Sequence, residues 1–187
     1  MALPTVTDLK SYLRIESNAE NALLQALLDR AKGQVELWID CPITAVAQTY
    51  VDRCETLDQP VTSLVFPRRP IGAPVTIVDG DGVPVPSEEY WVAGSSGMIY
   101  SEEGYSFHNP RYTVTALCGL SLSAQYGAWE PVISQCILDL AADLYQKRTP
   151  NASSETSAAT SITWDTSREV AARVLKVLRA LKLPAFA

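Results

Sequence analysis

The chain has 187 residues, 47% hydrophobic and 19% charged, with a net charge of −6. That length supports one domain, or one domain with an arm, and a core large enough to need no disulfide or metal staple. The composition excludes a disordered chain, and the acidic balance excludes a general nucleic-acid binder.

The opening "MALPTVTDLK" has neither the basic start nor the apolar run of a signal peptide. No apolar stretch is long enough to predict a membrane span. Cys41, Cys54, Cys118 and Cys136 are far apart and form no Cys-x-x-Cys pair, so a zinc knuckle is not expected. These features predict a cytosolic protein with reduced thiols.

Thr5 to Leu13 reads as a short helix. Thr5 and Asp8 have capping-box spacing, and Val6, Leu9 and Leu13 share a face. Ser17 and Glu20 repeat the capping signal before a long helix that runs to about Ile39. Leu23, Leu24, Leu27, Leu28, Ala31, Val35 and Trp38 supply its apolar stripe, and Pro42 stops it.

From Ala45 to Leu122, prolines and glycines separate six short β-rich runs: "AVAQTYVD", "VTSLVF", "APVTIVD", "YWVAG", "GMIY" and "RYTVTAL". Such spacing predicts a small antiparallel sheet or barrel. "EPVISQCILDLAADLYQKR" then predicts a helix, with its proline near the first turn and Lys147 and Arg148 at its C-terminal end. Ile133, Ile137, Leu140, Ala141 and Leu144 form its apolar face.

Residues 149–165, rich in Ser, Thr and Ala, read as a linker. A last helix is predicted from about Thr166 to Leu183, where Pro184 ends it. Its apolar stripe is Val170, Val174, Val177, Leu178 and Leu181. Arg173, Lys176, Arg179 and Lys182 recur every three residues and form a slanted basic ridge. Arg168 to Lys182 carries five cations against Glu169 alone, so this segment is +4 and the remainder −10. An amphipathic basic helix behind a linker suits docking onto its own domain, a neighbouring copy, a different protein or an anionic membrane. The competing reading is an ordinary packed helix with a solvated basic face.

The predicted fold class is α+β: a small helical bundle of the N-terminal helices and the Pro131 helix, with an inserted antiparallel β-rich sheet and a C-terminal amphipathic helix. The predicted organisation is a body over residues 1–148 with a β-rich insertion at about 45–122. A linker over 149–165 and a basic arm over 166–187 follow.

Catalytic patterns are weak. His108, the single histidine, lies in the loop-like "SFHNPRY" before a strand. No Gly-x-Ser-x-Gly, His-Glu-x-x-His or P-loop motif occurs. Asp79 and Asp81 suggest a calcium loop, but counting from Asp79 puts Val83, Pro84 and Tyr90 where that loop needs a ligand, a glycine and a glutamate. "DGDG" between β-rich runs therefore predicts a hairpin turn. Arg68 and Arg69 in "FPRRPIGAP" are candidate loop contacts for phosphate or an acidic partner, against the plainer reading of an exposed connection. Trp38, Trp91, Trp129 and Trp164 show no stacking interval and read as core or subunit-interface residues.

Four stretches taken in order resemble the head–tail connector, or adaptor, family of tailed bacteriophages: "TVTDLKSYLRI", "NALLQALLDRAKGQVELWIDCPI", "LVFPRRPIGAPVTIVDGDG", and "RYTVTALCGLS" followed by "EPVISQCILDLAADLYQKR". The resemblance covers most of residues 5–148. It implies a non-enzymatic neck protein without cofactor or metal, assembled in the bacterial cytoplasm and located at the head–tail junction. It implies a homo-oligomeric ring, commonly of twelve copies, beneath the portal protein. Such a ring extends the DNA channel, lets DNA pass without sequence-specific binding, and offers a platform to the next stopper or tail protein. No membrane is involved.

The expected partner interface is the basic C-terminal segment, with Arg168, Arg173, Lys176, Arg179, Lys182 and Phe186 meeting the portal or an adjacent subunit. The alternatives are a stopper or tail-completion protein, a small metal-dependent enzyme using Asp79, Asp81 or His108, and a membrane-surface protein using the basic helix.

Overall fold

A computed structural model describes residues 3–53, 61–147, 154–157, 160–163 and 168–179. Helices and antiparallel sheets together give the expected α+β class. The chain divides into two compact units. Unit 1 comprises residues 1–39 and 127–187, and unit 2 comprises residues 40–126.

Unit 1 is helical. Helix α1 (Val6–Leu13) starts on the capping box read from the sequence. The Asp8 amide donates to the Thr5 hydroxyl oxygen at 3.3 Å, and the Thr5 amide donates to the Asp8 carboxylate at 2.8 Å. The Thr5 amide and hydroxyl, in that order, hold the Asp8 carboxyl below its usual range. Arg14 ends the helix in the left-handed region (φ 58°), and the Ile15 amide donates to the Lys10 carbonyl.

Helix α2 (Asn21–Ile39) buries Leu24, Leu28, Ala31, Val35 and Ile39 along one stripe. The predicted Ser17–Glu20 capping box does not form. The Ser17 hydroxyl accepts instead from the Ala19 amide at 3.1 Å, and the Glu20 carboxylate accepts from the Tyr145 hydroxyl at 2.7 Å. A serine hydroxyl can close a local turn as readily as a helix, and here the turn wins. Asp40 (φ 55°) closes α2 before Pro42.

Helix α3 (Tyr126–Lys147) begins five residues before Pro131, earlier than "EPVIS" suggested. The proline is thus inside the helix, where it cannot donate to the carbonyl four residues back. The buried Ile133, Ile137, Leu140 and Ala141 keep the expected apolar face. Within the segment read as a linker, β7 (Ser154–Ser157) and β8 (Thr160–Thr163) pair as a short antiparallel hairpin. Thr156, Thr160, Ile162 and Thr163 are β-branched and favour extended backbone. Helix α4 covers Arg168–Leu178.

Unit 2 holds the six predicted β-runs as two three-stranded antiparallel sheets, rather than one sheet or barrel. One has the order β1–β6–β3, from Val46–Arg53, Arg111–Cys118 and Ile71–Asp79. The strict alternation of β6 buries Tyr112, Val114, Ala116 and Cys118 on one face. On the other face, the Thr49 and Thr115 hydroxyls are bonded at 2.9 Å. A bulge between Gly72 and Val75 interrupts β3. Gly119 follows β6 where the backbone of Thr44 and Ala45 passes so close that a Cβ would lie 2.6 Å from the Ala45 Cα. The second sheet has the order β2–β5–β4, from Ser63–Val65, Met98–Ser101 and Tyr90–Ala93.

"VDGDGV" forms the predicted tight turn. The Asp79 carboxylate accepts from the amides of Asp81 (3.0 Å) and Val83 (2.8 Å), and the Val83 carbonyl accepts from the Asp79 amide. Gly82 supplies the positive φ of 86°. The Asp79 side chain thus shapes the backbone, while the Asp81 carboxylate accepts from the Asn109 side-chain amide at 3.3 Å. Among the described residues, no group of three or more His, Cys, Asp or Glu side chains is placed to hold a metal ion.

Candidate functional site

The basic helix α4 packs within unit 1 and contacts α2. Val174 and Leu178, one turn apart, are 2% and 1% exposed. The receptor of Val174 and Leu178 is therefore its own unit, whereas Val177, read into the same stripe, is 40% exposed, and Leu181 lies outside the described residues. Its outward side carries Arg173, Lys176, Val177 and Arg179, all exposed. Arg168 begins the helix, whereas Lys182 and Phe186 lie outside the described residues.

One aspartate ties α4 to two other helices. The Asp139 carboxylate of α3 accepts from the Tyr12 hydroxyl of α1 at 2.8 Å and from the Gln135 amide at 2.7 Å. Its second oxygen accepts from an Arg173 guanidinium nitrogen at 2.9 Å. The Asp139 side chain is 12% exposed and that of Arg173 is 65% exposed, so the pair sits at the unit's surface. The hydrogen bond to Asp139, then burial and the carboxylate's charge, raise the Tyr12 phenol above its usual range, while Arg173 opposes. Beside the pair lies an open groove of about 340 Å³, lined by Pro131, Val132, Cys136, Val174 and Val177 among others. Burial and the Asp139 charge push the Cys136 thiol up to about 11, so it is protonated at neutral pH and no nucleophile.

In unit 2, Arg68 is exposed and Arg69 half-buried in the turn between β2 and β3, next to the cis Arg69–Pro70 peptide. The Arg68 charge acts within that unit: after the Cys41 hydrogen bond, it helps lower the Cys118 thiol, against burial and the Asp40 charge. His108 is exposed. The predicted residues are thus split: Arg173, Lys176 and Arg179 share one helix of unit 1, and Arg68 and Arg69 belong to unit 2.

An exposed apolar surface in unit 2 joins Trp91, read from the sequence as a core or subunit-interface residue, to residues the sequence did not mark. One face of β2–β5–β4 carries Val65, Met98 and Ala93 in one cross-strand row and Ser63, Tyr100 and Trp91 in the next. Trp91 stacks on Tyr100 with ring centroids 4.4 Å apart and 19° between planes. Trp91 is 48% exposed and Val65 41% exposed. The opposite face buries Leu64 and Ile99. Strand alternation in "YWVA" and "MIYS" was the available signal, since Trp91 and Tyr100 fall in opposite phase to Tyr90 and Ile99. Nothing in the sequence pairs Tyr12 with Asp139, which are 127 positions apart.

Charge divides between the units as well. Unit 2 contains ten carboxylates and four arginines, while unit 1 contains eleven acidic and eleven basic residues. The whole net charge of −6 therefore resides in the β-rich unit.

No protein-family model and no curated protein sequence matches the chain. Solved structures do. A chain from the neck of an empty gene transfer agent (GTA) particle, determined with C6 symmetry, superposes with a TM-score of 0.64 at 16% identity. A chain from the virion of the native particle gives 0.60 at 17%, and one from the native neck with C12 symmetry gives 0.57 at 18%. Each match covers 100% of this chain and 95% of the other. The chain has the fold of these neck and virion chains, in agreement with the connector resemblance read over most of residues 5–148.

Proposed function

We propose that this chain, which has the fold of gene transfer agent neck chains, is a structural head–tail neck protein. In this reading it is an adaptor that assembles as a closed ring, binds the portal, continues the DNA channel and presents a platform to the next neck or tail component. The observation that carries the reading is the fold likeness to neck chains over all of this chain and 95% of each of theirs. C6 is a subgroup of C12, so both symmetries found for the neighbours are compatible with twelve copies. The acidic unit 2 suits a wall past which DNA slides, because like charges keep phosphates from adhering. The exposed cations of α4 suit contact with neighbouring chains rather than catalysis.

The test is electron microscopy of the purified full chain, alone and mixed with the portal of its own particle. The expected result is a cyclic ring of twelve copies seated coaxially on the portal. A chain that stays monomeric in both preparations overturns the proposal. Rings that bind tail components and ignore the portal would support the stopper reading instead.

A further inference from the structure

Two surfaces of this chain carry opposite charges, most of which form no ion pair among the described residues; Arg173, paired with Asp139, is the exception. The first continues the apolar face of β2–β5–β4. Beyond the Trp91–Tyr100 row, Glu89 lies opposite Glu102, whose amide donates to the Glu89 carbonyl at 2.9 Å. Glu88 and Glu103 flank them. By register the Glu89–Glu102 pair is the next same-phase position beyond Trp91 and Tyr100, so acidic residues follow the uncharged floor of Val65, Met98, Tyr100 and Trp91, with Glu88 and Glu103 adjacent in sequence. None of these four forms an ion pair among the described residues. The second surface is the outward side of α4. Arg173, Lys176 and Val177 follow i, i+3, i+4 spacing, so they are neighbours on the helix, and Arg179 adds a further cation. Lys176 and Arg179 form no ion pair among the described residues, and Val177 is 40% exposed.

We infer that the Trp91–Tyr100 face, with its rim of Glu88, Glu89, Glu102 and Glu103, receives the exposed Lys176–Val177–Arg179 side of α4 from an adjacent copy of this chain. The inference rests on the ring reading above and adds the surfaces that close the ring. An aromatic floor bordered by carboxylates selects a partner that is apolar at its centre and cationic at its edge. A nucleic acid or an anionic membrane is repelled by that rim. Val177 meets the uncharged floor, a Lys or Arg head gains from the face of Trp91, and the remaining cations reach the carboxylates. The two surfaces differ, so the contact is heterologous. Head-to-tail contacts of this kind generate cyclic rings when the rotation closes, whereas a self-complementary patch would stop at a dimer.

Sedimentation velocity of the full chain over a concentration series, in about 0.05 M and about 0.5 M salt, tests the contact by charge exchange. Three variants are compared with the wild type: Lys176→Glu with Arg179→Glu, Glu102→Lys with Glu103→Lys, and all four together. All four positions are exposed, and circular dichroism verifies folding. The expected result is self-association of the wild type, weakened at least about tenfold in each double variant and largely restored in the quadruple variant. Weakened assembly with no restoration in the quadruple variant overturns the pairing. Wild-type-like assembly of either double variant also overturns it, while leaving the ring reading intact. A wild type that remains monomeric throughout overturns the inference, while the ring reading is decided separately by the preparation that contains the portal.

Discussion

At the scale of single residues, polar side chains in this protein mostly shape backbone and join elements. Asp79 spends its carboxylate on two amides of its own turn, and Asp139 gathers donors from three helices. Tyr105 shows how burial acts on a titrating group. Its ring packs edge-on against Phe107 at 5.5 Å, and burial, followed by smaller contributions from Tyr112, Glu89 and Asp79, pushes its phenol up to about 12. The ordinary phenol titrates near 10. The folded state therefore holds this proton when the unfolded state has begun to release it. The stabilising contribution is complete below about pH 10 and is lost as pH rises toward about 12. Tyr105→Phe keeps the ring and removes the proton, so its urea midpoint should fall less steeply than that of the wild type between those pH values. Parallel slopes for the two proteins would contradict this assignment.

At the scale of elements, α4 combines the two readings that the sequence left open. It is a packed helix through Val174 and Leu178, and it is a basic surface through Lys176 and Arg179. The periodicity specified both faces, because positions three and four apart must share a side. It could not name the receptor, because an apolar stripe fits any apolar surface of similar shape. Leu178→Ala should destabilise unit 1 by about 2–5 kcal/mol in urea unfolding. Lys176→Ala, a surface change, should stay within about 0.5 kcal/mol. Equal, small effects would mean that α4 contributes nothing to that core. Deleting residues 166–187 removes two core side chains along with the cations, so loss of partner binding in that truncation cannot be assigned to docking. Point changes at the exposed cations separate the two roles.

At the scale of the whole molecule, the charge is segregated by unit, with all of the net −6 in the β-rich part. The chain should therefore fail to retain double-stranded DNA in a gel-shift measurement at about 0.1 M salt, since no cationic excess exists to release counterions. Tight, salt-sensitive DNA binding would refute the passive-channel reading.

The resemblance to neck connectors rested on the order of short amphipathic elements, and the structural likeness over the full chain agrees with it. Periodicity, capping and turn chemistry are local properties, so α1, the body of α2, the apolar face of α3, the six strands and the Asp79 turn could all be read from the sequence alone. Strand pairing is not local. Splitting six similar runs into β1–β6–β3 and β2–β5–β4 depends on long-range registers that no single run encodes. The same holds for Asp139 meeting Tyr12 and Arg173, and for Trp91 stacking on Tyr100 across the β4–β5 pair. Local chemistry determined which elements form. Only the tertiary structure decided which faces they cover and which they leave for another chain.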